Sequence, residues 1–224
     1  MPSDDGALVK PFDLATVDRL LTTTRSVRRR LDLARPVAGE LVEQCLGLAL
    51  QAPNASNEQT WRWVIVTDES KRRALADLYR RSLEPYLEAQ TTVRHSAASR
   101  RLLASVRWLA AHLQDVPVHV IPCITAQSIG DGSNHAASSF YGSILPAVWS
   151  FQLALRSRGL GSAWTTSHLT LETEAAELLG IPADVMQVAL VPVAHVVGDD
   201  LQRAPRRPVA EVTFWNGWGS AGHY

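Results

Sequence analysis

The stretch FYGSILPAVWSFQLALRSRGLGSAWTT, residues 140–166, decides the fold. Residues 140–158 are apolar on nearly every side, which predicts a long helix that other elements cover. Gly159 follows as its C-terminal cap, because glycine adopts a left-handed conformation at little cost. Residues 161–166 then predict a short strand. We therefore expect the core to be built around one central helix and the strand that follows it.

Helices and strands alternate on both sides of this stretch. Before it, we expect a helix capped by Thr16, a helix from Pro36 to a stop at Pro53, a strand at 61–66, a helix capped by Asp68, a helix within 94–113, a buried strand at 116–124 and a mobile loop at 127–139. After it, we expect a helix at 172–179 and a long strand at 186–197. Pro117 and Pro122 favour an edge or irregular position for their strand. This order predicts a layered mixed sheet with helices on both sides, in a single domain over residues 1–224.

Composition excludes several classes of protein. The 224 residues carry a formal net charge of zero, which removes any global electrostatic reason to bind nucleic acid or an anionic membrane. Cys45 and Cys123 both lie in apolar runs, which indicates core thiols in a reducing compartment and neither a disulfide framework nor a metal site. The first residues lack the layout of a signal peptide, and no apolar run is as long as a membrane span. We therefore expect a cytoplasmic protein.

The first candidate for a binding site is Arg25-Ser26-Val27-Arg28, just past the end of the first helix. Two guanidinium groups and a hydroxyl within four residues are suited to hold a phosphate, because arginine offers forked donors that match phosphate oxygens. A solvated basic turn or a nucleic-acid patch would use the same residues. The motif alone does not decide between these interpretations.

Three further segments each have two interpretations. The loop APNASNEQTW, residues 52–61, carries amides that suit the edge of a planar heterocycle, or an Asn-rich turn that satisfies its own backbone. The glycines of RGLGSAWTT, residues 158–166, allow close approach to a ligand, or an ordinary helix stop. The arginines of RAPRRP, residues 203–208, suit a phosphate or a solvated tail.

Taken in this order and spacing, the four segments resemble the FMN-dependent nitroreductase family over about residues 16–212. The resemblance implies that Arg25, Ser26 and Arg28 bind the FMN phosphate and that Arg206 and Arg207 return to it. It implies that a loop of the partner subunit touches the isoalloxazine; its contact residues here are Asn54, Ala55, Ser56, Asn57 and Gln59. It also implies that residues 159–162 and then Thr165, Thr166 and Ser167 line the flavin. Asn54, Thr60 and Ser150 depart from the family pattern, in which serine, proline and asparagine stand at those places.

The same resemblance implies an α+β fold assembled as a domain-swapped homodimer, with residues 1–12 as an N-terminal arm and residues 199–224 as an extension that wraps the partner. The implied activity is electron transfer from NADPH or NADH through FMN to a small electrophile such as a nitroaromatic, a quinone or an activated alkene. A deazaflavin donor is an alternative. No side chain has to act as a nucleophile or general base, and segments 79–105 and 127–139 are expected to select the substrate.

Two other functions remain open at this point. The chain could be a flavin-binding or flavin-storing protein of the same fold without catalytic activity. Alternatively, the basic turn and tail could bind nucleic acid, in which case retention on a polyanion would depend steeply on salt.

Overall fold

The computed structural model describes residues 12–91, 93, 96–125, 129–198 and 201–219. They fall into two compact units. The terminal unit combines the residues up to 23 with those from 200 onward, and the larger unit comprises residues 24–199. Three of the expected segments lie partly outside the described residues. These are most of the arm expected at 1–12, the beginning of the loop expected at 127–139 and both ends of the extension expected at 199–224.

The terminal unit holds helix α1, Leu14–Thr23, and a short 3₁₀ turn at Val209–Glu211. The predicted cap at Thr16 is wrong. Helix α1 begins at Leu14, and the Thr16 hydroxyl lies inside the first turn, where it donates a hydrogen bond to the Asp13 carboxylate. Large apolar side chains of this unit are exposed: Phe12, Leu14, Leu21, Val209, Val212, Phe214, Trp215 and Trp218.

The larger unit is built on a six-stranded sheet. Its strands are β1 (Leu31–Asp32), β2 (Trp61–Val66), β3 (Val118–Thr125), β4 (Leu160–Ser162), β5 (Val185–Gln187) and β6 (Val191–Val196). The main order is β1-β6-β3-β2, with β4 paired to β6 and β5 paired to β3. Every pairing among these strands is antiparallel, where the alternation of helices and strands had suggested a mixed sheet.

Strand β3 lies in the middle of the sheet, so of the two positions expected for it the edge is wrong, and Pro122 instead lies at an irregular point of the pairing. Pro122 is tolerated there because the neighbour on one side of β3 changes at that point. Strand β6 pairs with β3 only as far as Val120, and β5 begins to pair at Cys123. The Pro122 carbonyl accepts a hydrogen bond from Val188 N in the gap between them, where a missing N–H interrupts no ladder.

The same gap explains a second difference. The long strand expected at 186–197 is divided into β5 and β6, and residues 188–190 connect them. Leu190 forms an isolated bridge with Thr165, whose backbone N donates to Leu190 O at 3.1 Å and whose O accepts from Leu190 N at 2.8 Å. The residues that look like one apolar run therefore form two strands, each of which pairs with a different part of β3.

Among its described residues the larger unit has six α-helices: α2 (Gly39–Ala49), α3 (Glu69–Ala89), α4 (Ala97–His112), α5 (Asn134–Gly142), α6 (Leu145–Ser157) and α7 (Glu172–Leu179). The helix predicted at 172–179 is confirmed, and so is the Asp68 cap, whose carboxylate accepts from Lys71 N at 2.9 Å. Helix α2 begins three residues after the expected Pro36. The Asp32 carboxylate holds a turn by accepting from Ala34 N and Arg35 N, which keeps this segment out of the helix.

The central helix is present but shorter than expected. The predicted helix over 140–158 is divided into α5 and α6, since Pro146 in the first turn of α6 has no N–H to continue the helix from Gly142. Helix α5 also occupies part of the segment expected as a loop, and Ser133 caps it by accepting from Ala136 N. Helix α6 is central as predicted, because it packs on α2 and β4 and buries Phe151 and Leu155 completely.

Candidate functional site

The structure brings two of the candidate segments together, residues 25–28 and residues 158–166. Val27 N donates a hydrogen bond to Ser162 O at 2.8 Å, so the 25–28 turn lies directly on strand β4. Gly161, in the middle of β4, packs against Val196 and Val27 only because it has no side chain. A Cβ there would lie 2.7 Å from Val196 Cγ2 and 3.1 Å from Val27 Cβ. The sequence predicted that these glycines allow close approach to a ligand; at Gly161 the close approach is instead made to Val196 on β6 and to Val27 in the 25–28 turn.

Arg28 is the part-buried cation of this turn. Its Nε is buried, and within the described part of the chain it has no hydrogen-bond partner. Burial lowers the pKa of the guanidinium, and no carboxylate among the described residues forms an ion pair with it. A cation withdrawn from water without a counter-charge is costly. The turn is therefore suited to receive an anion, whereas a merely solvated basic turn would leave this group in water. Arg25 and Ser26, beside it, are exposed.

The loop of residues 54–59 has a strained backbone. Ser56, Asn57 and Gln59 have φ angles of 52°, 54° and 52°, in the left-handed region that L-residues rarely adopt. Two hydrogen bonds hold this conformation: Asn54 Oδ1 accepts from Gln59 N at 2.9 Å, and Ser143 Oγ accepts from Ala55 N at 3.0 Å. Strain retained in this way is frequent at ligand-binding sites.

The side chains of this loop divide into two groups. Asn54 satisfies the loop's own backbone, as the interpretation of an Asn-rich turn requires. Ala55, Ser56, Asn57 and Gln59 are exposed. The polar groups that could meet a heterocycle are therefore presented outward on a backbone that other contacts have fixed.

The remaining predicted residues have different surroundings. Thr165 is buried, and its hydroxyl donates to Leu190 O at 2.8 Å, so its proton is used by the sheet. Thr166 is exposed. Arg206 and Arg207 belong to the terminal unit and are also exposed, and the Arg206 guanidinium donates to the carbonyl of Pro205 at 3.0 Å.

Two buried groups beside these elements were not found from the sequence. Tyr79 on α3 is only 2% exposed and looks like an ordinary core position of an amphipathic helix. His168 follows the predicted flavin-lining residues directly, and that adjacency was the available signal. Burial lowers the pKa of His168 to about 4, with the Gln187 side chain offsetting part of the shift. His168 is therefore a neutral imidazole at pH 7.

Neutral buried histidines make the stability of this fold depend on pH. Burial lowers the pKa of His119 to about 4, against a partial opposing effect of its hydrogen bond to Leu113 O. Because the unfolded chain takes up protons below about pH 6.5 and the folded chain does not, stability should fall as pH drops from 6.5 towards 4. One pKa unit corresponds to about 1.4 kcal/mol, so His119 and His168 can each contribute roughly 3 kcal/mol to this loss.

Urea denaturation at pH 7 and pH 5 measures this dependence. The His119→Gln variant keeps a donor for Leu113 O but cannot titrate, so its loss of stability between the two pH values should be smaller than in the wild-type chain. The exposed His135→Gln variant is the matched control and should lose as much stability between pH 7 and pH 5 as the wild-type chain does. An equal loss of stability between the two pH values in all three proteins would contradict a contribution from His119.

A groove of about 640 Å³ lies between α3 and α4. Leu83, Leu87 and Ala110 form its apolar lining, with Glu84 and Arg107 among the charged residues. None of the predicted flavin-contacting residues lines it. The groove lies partly within segment 79–105, which was expected to select the substrate. Within the described ranges, no group of His, Cys, Asp or Glu side chains could hold a metal ion, and no helix is long and apolar enough to cross a membrane.

Known proteins are similar to this chain in sequence and in structure. The family model described as the nitroreductase family matches residues 21–195. A 5,6-dimethylbenzimidazole synthase from Rhodospirillum rubrum is 31% identical over 188 residues, which cover 82% of this chain and 83% of that protein.

Among solved structures, a BluB-like flavoprotein from Clostridium difficile is 18% identical with a TM-score of 0.69, covering 90% of this chain and 99% of the other. An iodotyrosine deiodinase bound to FMN and 3-iodo-L-tyrosine is 24% identical with a TM-score of 0.67, covering 89% and 100%. Both likenesses concern the fold. The predicted α+β class and the resemblance stated from the motifs are confirmed, and the chain belongs to the nitroreductase family.

Proposed function

We propose that this chain is an FMN-dependent oxidoreductase that passes electrons from NADPH or NADH to a small electrophile. The observation that carries the proposal is Arg28, a part-buried cation with an unpartnered Nε on a turn that packs against Gly161. A phosphate monoester supplies the missing counter-charge, and FMN carries one. Riboflavin has the same ring system without this group, which makes it the natural comparison ligand.

Arg25, Ser26 and Arg28 would hold that phosphate together. Guanidinium groups donate to phosphate oxygens in pairs, and the Ser26 hydroxyl can donate a further hydrogen bond. Arg206 and Arg207 are proposed to approach the same phosphate from the extension.

The strained loop would hold the ring of the flavin in the partner subunit. Asn57 and Gln59 offer amides that both donate and accept, which matches the mixed edge of an isoalloxazine. Ser56 adds a hydroxyl, and residues 159–162 with Thr166 would line the ring from the other chain. The left-handed backbone of Ser56, Asn57 and Gln59 keeps these groups in place before the ligand arrives.

FMN, when bound, supplies the electron-transfer chemistry, and the protein supplies binding, orientation and electrostatics. No side chain is proposed as a nucleophile or general base. His168 remains neutral beside the 165–167 element and so adds no positive charge near the ring. The electron donor is NADPH or NADH, with a deazaflavin as the alternative.

The proposed assembly is an intertwined homodimer in the cytoplasm. Exposed apolar side chains occur on α2 and α6, at Leu48 and Trp149, and along the C-terminal extension, at Phe214, Trp215 and Trp218. Apolar surface of this kind is usually covered by a partner. We propose one domain per chain, an N-terminal arm at 1–12 and an extension at 199–224 that wraps the second copy. The zero net charge argues against a nucleic-acid partner.

Two alternative functions are compatible with the same site. Storage of flavin without catalysis would use the same phosphate and ring contacts. Synthesis of 5,6-dimethylbenzimidazole is the reaction named for the Rhodospirillum rubrum relative that is 31% identical to this chain. The three functions differ in what happens to the bound flavin after it meets a reductant.

Reduction of the FMN-loaded protein without air separates them. We expect the flavin absorbance to bleach on addition of NADPH or NADH and to return when a nitroaromatic or quinone is added. Flavin that stays oxidised with both nicotinamides and with a reduced deazaflavin would support storage. Formation of 5,6-dimethylbenzimidazole on exposure to air, detected by mass spectrometry with loss of FMN, would support the synthase.

A further inference from the structure

A buried hydroxyl lies beside the 25–28 turn in addition to the residues already assigned. Tyr79 on α3 is 2% exposed, and α3 packs against the 3₁₀ turn Ser167–Leu171. Burial raises the pKa of Tyr79, whereas the Arg28 charge and the Ser167 hydroxyl both act to lower it, so both groups lie near the phenol. Three elements that are far apart in sequence therefore meet at Arg28, Tyr79 and Ser167.

This cluster contains a cation and two hydroxyls but no carboxylate. Burial is the main cause of the raised pKa of Tyr79, so the phenol keeps its proton at neutral pH and remains a donor. The phenol therefore cannot serve as the counter-ion of Arg28, whose Nε has no partner among the described residues. A part-buried cation beside neutral hydroxyl donors is the arrangement expected of an anion site.

We propose that Tyr79 is a phosphate-binding residue, and that its hydroxyl, with that of Ser167, completes the anion site formed by Arg28. The inference rests on the proposed function, since the anion is taken to be the phosphate of FMN. Helix α3 would thereby contribute to cofactor binding from inside the chain, although its sequence looks like an ordinary amphipathic helix. Tyr79 would act on the phosphate and make no contribution to recognition of the flavin ring.

The Tyr79→Phe variant tests this assignment because it removes one oxygen and keeps the volume of the side chain. We expect the Kd for FMN to rise about 10-fold, the effect of one hydrogen bond to a charged group, while the Kd for riboflavin stays the same. The ratio of the two constants, measured by quenching of flavin fluorescence, is insensitive to a general loosening of the fold. Tyr86→Phe, an exposed position on the same helix, is the matched control and should change neither constant.

A Tyr79→Phe protein that keeps the wild-type preference for FMN over riboflavin would overturn the proposal, and so would an equal loss of both affinities. If this variant does not fold, Ser167→Ala takes its place with the same expected change in the ratio. Failure of the wild-type chain to prefer FMN would instead refute the proposed function itself. The two failures are therefore distinguishable.

Discussion

The Arg28→Met variant should bind FMN about 100-fold more weakly than the wild-type chain, while its affinity for riboflavin changes by less than about twofold. Methionine keeps the apolar stem that packs in the turn and removes the guanidinium donors. Hydrogen bonds to a charged group contribute about 1.5–3 kcal/mol each, and loss of the charge adds to that. Titration of the flavin-free protein with each flavin, followed by fluorescence, measures both constants.

Arg29→Met is the control for this variant. Arg29 is the exposed neighbour of Arg28, so its replacement removes the same charge from the same run without touching the buried position. We expect its FMN affinity to stay close to that of the wild-type chain at physiological salt. Equal weakening in the two variants would mean that the basic run attracts phosphate diffusely, and the buried site would be refuted.

Replacing Gly161 by alanine should destabilise the fold by about 1–3 kcal/mol, the range for overpacking a well-filled core, and valine should cost more. The added Cβ would lie 2.7 Å from Val196 Cγ2, and the next neighbour is Val27 Cβ at 3.1 Å. Both belong to β-branched side chains, which are stiff and cannot turn away easily. The 25–28 turn should move off strand β4, so FMN affinity should fall together with stability.

Gly47→Ala is the opposite case in the same unit. Gly47 lies within α2, and a Cβ there would meet no atom within 4 Å. Because alanine is favoured over glycine inside a helix, the free energy of unfolding of this variant should rise by about 0.5–1 kcal/mol. Urea denaturation of both variants checks the pair of expectations. A Gly161→Ala protein as stable as the wild-type chain would show that the contact between the turn and β4 is not close-packed.

Elements set by local signals could be predicted from the sequence. Asp68 caps α3 through a residue three positions away, and the helix at 172–179 needs only its own residues and its left-handed Gly180. Strand β2 is confirmed at the expected residues for the same reason. The resemblance to the nitroreductase family could also be found from the sequence, because it depends only on the order and spacing of the four candidate segments.

Elements set by distant contacts could not be predicted in this way. Pro122 looks like an edge residue until the change of partner from β6 to β5 is known. The start of α2 depends on the Asp32 carboxylate, which holds Ala34 and Arg35 in a turn. The break before α6 is different, because Pro146 in a helix already signalled a new first turn.

The candidate site shows the same division. The glycine at 161 could be proposed for close approach, but that it approaches Val27 is a property of the folded sheet. The family resemblance assigned Ser167 to the lining of the flavin, but nothing in the sequence connected Tyr79 to Arg28 or to Ser167. Contacts of this kind appear only when α3 and the turn after Thr166 are packed together.

Retention of flavin through desalting tests the central proposal most directly. The purified chain is mixed with excess FMN or with excess riboflavin, passed through a desalting column at physiological salt, and its absorbance spectrum is recorded. If the phosphate is held by Arg25, Ser26 and Arg28, the protein should leave the column with bound FMN and without riboflavin. A colourless protein after both flavins, or equal retention of the two, would contradict a cofactor site built around the phosphate.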